Sequence, residues 1–414
     1  MKKIKAIMSL VLLTLVISGC SDVFASRSGS RGSDSSESSY GRLRDPVTMQ
    51  PNSQASSGDQ SPETQEADPA PTQEPVPTPV TLPAYSGNGD LELPVEGATG
   101  ILIVPYDVKD STGPEAGVVF SAPSGTVFRI ISETGDWWEV QGSDFHGWVQ
   151  HFYCMINLPD VIPSAVYNNT NTYSSLFISS GRNIPNITGL QLYFGKSYNN
   201  RLQKEEYIVP VLYSMSKKIA KAQKNALAAG DTLVIYEGYR PMTVQQRVVD
   251  ELTALSNVDA EVMAGINSWP WSTDWFIATT VANHQQGYAM DVSLAHVTRL
   301  DTKATSRYSY SVTGEWEEYT MPTQIHELSS AAATFSQPVT SMSETDWINA
   351  PLSPTMNSTA VNLQKYCTDA GMTPLASEWW HFNDLASKKA MDNVQMAPQG
   401  DFLLQEIMSI DDGM

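Results

Sequence analysis

Cysteine is scarce in this chain, with 3 in 414 residues, so a disulfide framework is excluded as its main source of stability. Cys154 and Cys367, the two beyond the extreme N-terminus, lie in no Cys-x-x-Cys pair and near no candidate ligand motif, and both read as structural. Basic residues are also few. The 25 Lys and Arg face 45 Asp and Glu, for a net charge of -20. Such a chain is repelled by nucleic acid and by anionic membrane surfaces, which excludes both as charge-driven partners. No internal repeat and no heptad pattern is present. After residue 20 no apolar run is long enough to span a bilayer. Only six histidines occur, which confines imidazole chemistry to a few positions.

What is present begins with an address. Met1-Lys2-Lys3-Ile4-Lys5 is a basic start, Ala6 to Ile17 is a short apolar run, and Ser18-Gly19-Cys20 follows. This is the pattern of a secretory signal. Val16-Ile17-Ser18-Gly19-Cys20 resembles a bacterial lipobox. The resemblance implies cleavage before Cys20, lipidation of its thiol, and an extracytoplasmic chain anchored to the membrane by lipid without a spanning helix. Residues 21–96 are rich in Ser, Gly, Pro, Gln, Thr and acid, with a proline-dense stretch at 69–79. Too few large apolar residues are present to offset the entropy of ordering, so a disordered, partly stiff spacer is expected.

The remaining length suits a small domain followed by a larger one. Residues 97–158 read as short strands separated by Gly, Asp and Ser, around Ile101–Pro105, Gly117–Phe120, Thr126–Ile131, Trp137–Val140 and Gly147–Val149. Trp137-Trp138-Glu139-Val140 followed by Gly147-Trp148-Val149 resembles bacterial SH3-like domains. That resemblance implies a small all-β barrel that binds cell-wall peptide. Residues 159–414 mix periods. The spacing over Val209–Ala229 predicts a helix ended by Gly230, Thr232–Tyr236 a buried strand, and Met242–Leu255 a second helix. Tyr288–Leu294 reads as a strand, and Tyr308–Tyr319 as a hairpin turning at Thr313-Gly314. The expected class is α+β, an antiparallel sheet with helices.

Three short segments carry possible chemistry. In His284-Gln-Gln-Gly287-Tyr-Ala-Met-Asp291, the glycine permits a turn that brings the imidazole back towards the acid. An Asp within an apolar strand is costly unless it is paired or ligating. In Glu378-Trp-Trp-His381, two side chains three apart share a face only on a helical or bulged turn. This segment admits two readings, a buried aromatic pair with ordinary neighbours, or a metal ligand beside a general base. Arg240, in Glu237-Gly-Tyr-Arg240-Pro241, can stabilise a developing oxyanion or pair structurally with Glu237. His146 and His151 lie in the strand-rich segment, and His296 and His326 lack clean motifs.

Taken in order, these motifs resemble the D-Ala-D-Ala dipeptidases of vancomycin resistance and their D,D-carboxypeptidase relatives. Asn157–Pro163 and Tyr167 to Phe177 add to the likeness, which spans roughly 155–390. The resemblance implies that His284, Asp291 and His381 bind Zn2+, that Glu378 is general base and acid, and that Arg240 stabilises the tetrahedral intermediate. It also marks departures. The family's Ser two positions before the first His is Ala282 here. Its Met-Gly-Thr-x-Phe-Asp, whose Asp anchors the substrate amino group, becomes Met321-Pro-Thr-Gln-Ile-His326-Glu327, leaving His326 or Glu327 as the substrate-binding candidate. The leading expectation is a zinc D,D-peptidase acting on D-Ala-D-Ala in peptidoglycan. A carboxypeptidase trimming stem peptides and an inactive wall-binding lipoprotein are the alternatives.

Overall fold

Alternation of apolar and polar residues builds the first sheet. The computed structural model describes residues 82–392 and 400–413; the signal segment, Cys20 and nearly all of the proline-rich spacer lie outside the described residues. Strands β1 (Thr99–Leu102), β2 (Tyr106–Lys109), β3 (Val118–Ala122), β4 (Val127–Thr134), β5 (Trp137–Gln141), β6 (His146–Gln150) and β7 (Cys154–Asn157) follow one another along the chain. In β5 and β6 every second residue is buried, so one face meets the core and the other meets solvent. An eighth strand comes from the larger part of the chain. β13 (Pro210–Leu212) pairs antiparallel with β7, which gives the order β13-β7-β1-β4-β5-β6-β2-β3.

Between β7 and β13 the chain forms short pieces, β8 (Val166–Tyr167), β9 (Ile178–Ser179), β10 (Arg182–Asn183), β11 (Lys196–Asn199) and β12 (Lys204–Tyr207). Helix α1 (Tyr213–Ala228) leads to β14 (Asp231–Glu237), then α2 (Met242–Ser256) and α3 (Ala260–Ile266). Two long strands follow, β15 (Ala289–Ala304) and β16 (Ser309–Glu318), and then α4 (Ser358–Asp369), β17 (Thr373–Pro374), β18 (His381–Asn383) and α5 (Leu385–Asp392). The second sheet runs β17-β18-β15-β14-β8, with β16 also paired to β15. Only the β14–β8 pair in it is parallel. Helix α1 packs on β14 and also touches β7 and β13, while α4 packs on α1, β15 and β17. The mixed α+β class with antiparallel sheets is thus what the chain adopts.

Several expectations are corrected. The described strands trace an open path where a small SH3-like barrel is expected, and no closed barrel is found among them. Strand β7 pairs with β13 on its outer side instead of closing on β3. One apolar core runs from Phe128, Trp138 and Val149 through Met155 and Val211 to Ile219, Ile235 and Val292, so the two sheets share an interior. Residues 82–96, expected as spacer, pack onto the fold. Leu93 and Val95 are fully buried, and the Glu92 amide donates to the Val161 carbonyl at 3.0 Å. Residues 210–212 extend as β13 before the helix predicted from Val209 begins. Tyr308–Tyr319 is not a hairpin. The turn precedes Ser309, and Gly314 sits where the β15–β16 register shifts between Arg299 and Leu300. A Cβ there would meet Asp301 Oδ2 at 2.3 Å, so the glycine marks a bulge with close contact and not a turn.

Candidate metal centre

Three adjacent strands bring the acids and imidazoles to one level. On β15, Asp291 is the register partner of His381 on β18 and of Glu237 on β14. Arg240 lies three residues beyond Glu237, and Glu378 three residues before His381. The chain makes a turn at each of those ends. His381 donates its amide to the Glu378 carbonyl at 3.2 Å, which closes the turn that puts both side chains on one side. The intervening Trp379 and Trp380 are each 1% exposed and pack edge to face. The aromatic pair is therefore core.

His284 reaches the same place from a single 3₁₀ turn, His284–Gln286, capped by Gly287 at φ 73°. A Cβ on Gly287 would lie 2.7 Å from Met155 Sδ, so both its backbone conformation and its neighbours require glycine. The turn feeds straight into β15, which returns Asp291 beside His284 as its spacing suggests.

The donor atoms converge. His284 Nε2 lies 3.2 Å from His381 Nδ1 and 3.3 Å from Asp291 Oδ1, and His381 Nδ1 lies 3.0 Å from Asp291 Oδ1. Donors on one face of a tetrahedral zinc site, with bonds of about 2.0–2.1 Å, stand about 3.3 Å apart. Two imidazoles and a carboxylate at this spacing fit such an ion. The outer ring nitrogens agree. His284 Nδ1 donates to the Gly238 carbonyl at 2.6 Å, leaving Nε2 with its lone pair free to ligate. His381 Nε2 is 3.0 Å from Asn383 Oδ1 and 3.1 Å from Asn283 Nδ2. With its proton on Nε2, His381 donates to Asn383 and turns Nδ1 inward.

Electrostatics separate the two carboxyl groups. Burial works to raise Asp291, but the imidazoles around it, His284 first, and the hydrogen bond from His326 hold it well below the usual carboxylate range. Burial pushes Glu378 up to about 8, with Asp291 adding to the rise against the opposing pull of His381 and Arg240. Burial lowers His284, which favours the neutral ring a metal requires. Glu378 Oε2 stands 3.7 Å from His381 Nδ1, next to the donor triangle without joining it. An acid kept ionised for ligation and a second able to hold a proton are thus placed side by side.

Arg240 is paired structurally and also borders the site. Its Nη1 donates to Glu237, its Nε donates to Gln245 Oε1 at 2.8 Å, and it borders a cavity of about 340 Å3. Glu237 in turn accepts from Asn171 Nδ2 at 2.9 Å and from the Tyr193 hydroxyl. His284, Glu378 and His381 line the same cavity, along with Ala282, Trp275 and Lys388.

The two substrate-binding candidates lie elsewhere. Glu327 is buried, and its oxygens accept from the Ser180 and Gly181 amides at 2.5 and 3.0 Å. That leaves it capping a turn instead of facing the cavity. His326 is 1% exposed and meets Asp291 Oδ2 at 3.2 Å, behind the donor triangle. Neither borders the cavity that Arg240, His284, Glu378 and His381 line. Sequence reasoning missed Asn171, Tyr193, Asn283 and Asn383 as supports. Asn383, two residues after His381, and Asn283, next to His284, have a positional signal.

A cavity lined by two imidazoles, a carboxyl pushed upward by burial and a fixed guanidinium, with the Asp291 carboxylate directly behind them, has the equipment of a hydrolase. Residues 199–397 match the family model described as D-ala-D-ala dipeptidase. That span contains Glu237, Arg240, His284, Asp291, Glu378 and His381, and the match supports a peptidase of the D-Ala-D-Ala dipeptidase and carboxypeptidase type. No curated protein matches the chain.

Proposed function

We propose that this protein is a zinc-dependent peptidase that hydrolyses the D-Ala-D-Ala bond in cell-wall peptides, with His284, Asp291 and His381 as ligands. The observation that carries this reading is the donor triangle with edges of 3.0–3.3 Å and the carboxyl of Glu378 beside it. Zinc, when bound there, supplies Lewis acidity towards the scissile carbonyl and lowers the pKa of water. Glu378 takes the proton from the attacking water and returns it to the leaving amine. A carboxyl pushed towards about 8 by burial is suited to carry a proton in both directions near neutrality. Arg240, held by Glu237 and Gln245, faces the charge that develops on the carbonyl oxygen.

A second reading within the same chemistry has a specific observation behind it. Glu327 caps the turn at 180–181 and His326 is bonded to Asp291, so neither offers a carboxylate to a free amino group. A substrate whose amino end is already acylated, as in a peptidoglycan stem, needs no such anchor. We therefore weigh carboxypeptidase action on stem peptides against cleavage of the free dipeptide. Release of D-Ala from each substrate, with and without chelator, decides between them. Cleavage of neither would leave a wall-binding lipoprotein.

Lipidation at Cys20, an extracytoplasmic location and wall binding through residues 97–158 complete the proposal. Among the described residues no helix is long and apolar enough to cross a membrane. Mass spectrometry of the mature N-terminus tests the anchor, and an unmodified Cys20 would remove it. Sedimentation with purified peptidoglycan tests the wall module. The whole chain should be used, because β13 completes the first sheet from outside residues 97–158.

A further inference from the structure

His326 has no clean sequence motif, and its placement calls for an explanation. Its ring lies on Phe177, with centroids 4.5 Å apart and planes 20° apart, and meets Tyr236 and Trp380 edge on at 6.2 Å. Within this aromatic cage one ring atom has a polar partner. Nε2 lies 3.2 Å from Asp291 Oδ2, while Nδ1 is buried with no hydrogen-bond partner. A carboxylate oxygen only accepts, so the ring proton sits on Nε2 and points at Asp291. The backbone is held to that aim. His326 has φ 63°, in the left-handed region that is uncommon outside glycine, although histidine enters it more readily than most residues. Its carbonyl accepts from the Ile178 amide at 3.1 Å, and Leu328 donates back to Ile178 at 2.8 Å. Strain of this kind persists where the surroundings over-determine it, and it gathers at functional sites.

The consequence falls on Asp291. Its two oxygens have separate partners. Oδ1 faces His284 Nε2 and His381 Nδ1 at 3.3 and 3.0 Å, whereas Oδ2 faces His326 and, at 3.8 Å, Arg240 Nη1. We propose that His326 is a positioning residue, which holds Asp291 Oδ2 back so that Oδ1 alone completes the metal triangle. This rests on the zinc reading given above.

A competing view makes Glu237, Asp291 and His326 a second metal site, since their donor atoms also lie close together. The hydrogen bonds argue against it. Glu237 already accepts from Asn171, Tyr193 and Arg240. A divalent ion there would sit against a guanidinium whose Nη1 is 3.8 Å from Asp291. The His326 ring proton and the nearby guanidinium, not a metal ion, satisfy this side of the carboxylate.

The test compares the full chain with His326→Leu, His326→Gln and His326→Asn. Zinc affinity is read by competition with a chromophoric chelator, and ligand geometry by the visible spectrum of the cobalt-substituted protein. Wild type should bind one zinc. Leucine, which keeps the bulk but not the donor, should weaken zinc by about 10–100-fold and shift the cobalt bands. Glutamine, whose amide nitrogen reaches the position of Nε2, should stay within about threefold of wild type. Asparagine, whose nitrogen falls short, should behave as leucine does. Wild-type affinity and an unchanged cobalt spectrum in His326→Leu would overturn the proposal. So would two zinc ions in wild type with one lost in that variant. Should His326→Leu fail to fold, equal affinities for the glutamine and asparagine variants would overturn it. If wild type itself binds no zinc, the zinc reading fails first, before any variant is compared.

Discussion

The two sheets differ in how many of their faces are covered. In the first, β5 and β6 alternate buried and half-exposed residues, and their ionisable groups sit on the outer face, as the exposed His146–Glu139 pair does. In the second, all seven residues of β14 and the first seven of β15 are buried. A strand buried on both faces has no solvent side on which to put a charge. Glu237 and Asp291 are nonetheless there, and each is surrounded by donors. Buried charge of this kind is costly unless it is paired or ligating. Strands β5 and β6 bury only apolar residues and keep their charges outside, whereas β14 and β15 carry buried charges that function must justify.

Loss of the proton carrier should produce the largest effect. Glu378→Gln is expected to lower kcat by about 10²–10⁴-fold while zinc remains bound. Steady-state kinetics with metal analysis checks both halves. Activity within a fewfold of wild type would leave Glu378 as a wall residue and make the two sheets more alike.

A core substitution in the first sheet should act on stability instead. Trp138 is fully buried and packs on Tyr213 of α1 with ring centroids 4.7 Å apart. Trp138→Ala is expected to cost about 3–5 kcal/mol. Because the core is shared, unfolding should remain one transition with a lowered midpoint. A second transition that stays at the wild-type midpoint would show that the sheets unfold separately.

Glu92 sharpens the comparison through pH. It lies at the entry to the fold, where Ser164 donates to its carboxyl from the amide at 2.9 Å and from the hydroxyl at 2.5 Å. Burial raises it from an ordinary 4.5 to about 7, although the Ser164 bonds pull the other way. The folded state therefore keeps this proton where the unfolded chain has lost it. The contribution of Glu92 to stability is fully present below about pH 4.5 and falls as pH rises through about 7. Glu92→Gln preserves the partners and removes the titration. Relative to wild type it should gain about 1–3 kcal/mol between pH 4 and pH 8, allowing for the solvent contact this residue keeps. Denaturant midpoints at the two pH values measure this, and parallel curves would contradict it.

The smallest effect belongs to the outer edge. Val118 on β3 is 52% exposed, and Val118→Lys should change stability by no more than about 0.5 kcal/mol. A larger loss in thermal unfolding would mean that this edge strand is covered.

Legibility in the sequence follows the same division. Alternation makes the central strands β4 to β6 of the first sheet readable, whereas β2 and β7 are short and offer little pattern. The predicted helices appear as α1 and α2, but β13 was hidden because three residues cannot show a period. Gly314 reads as a turn in the sequence because glycine marks turns and bulges alike, and only the partner strand distinguishes them. In the site, His284, Asp291, Glu378, His381 and Arg240 carried motif context, and the structure brings them around one cavity or directly behind it. His326 and Glu327 did not. The left-handed backbone of His326 and the turn at 180–181 that occupies Glu327 arise from tertiary contacts, which local sequence cannot report.

The central claim is that the buried triangle of His284, Asp291 and His381 holds a catalytic zinc ion. The most direct measurement is D-Ala release from D-Ala-D-Ala and from a pentapeptide stem, followed through chelation and titration back with zinc. The account predicts loss of activity with chelator and full recovery at one zinc per chain. Cleavage that is unaffected by complete removal of metal would contradict it.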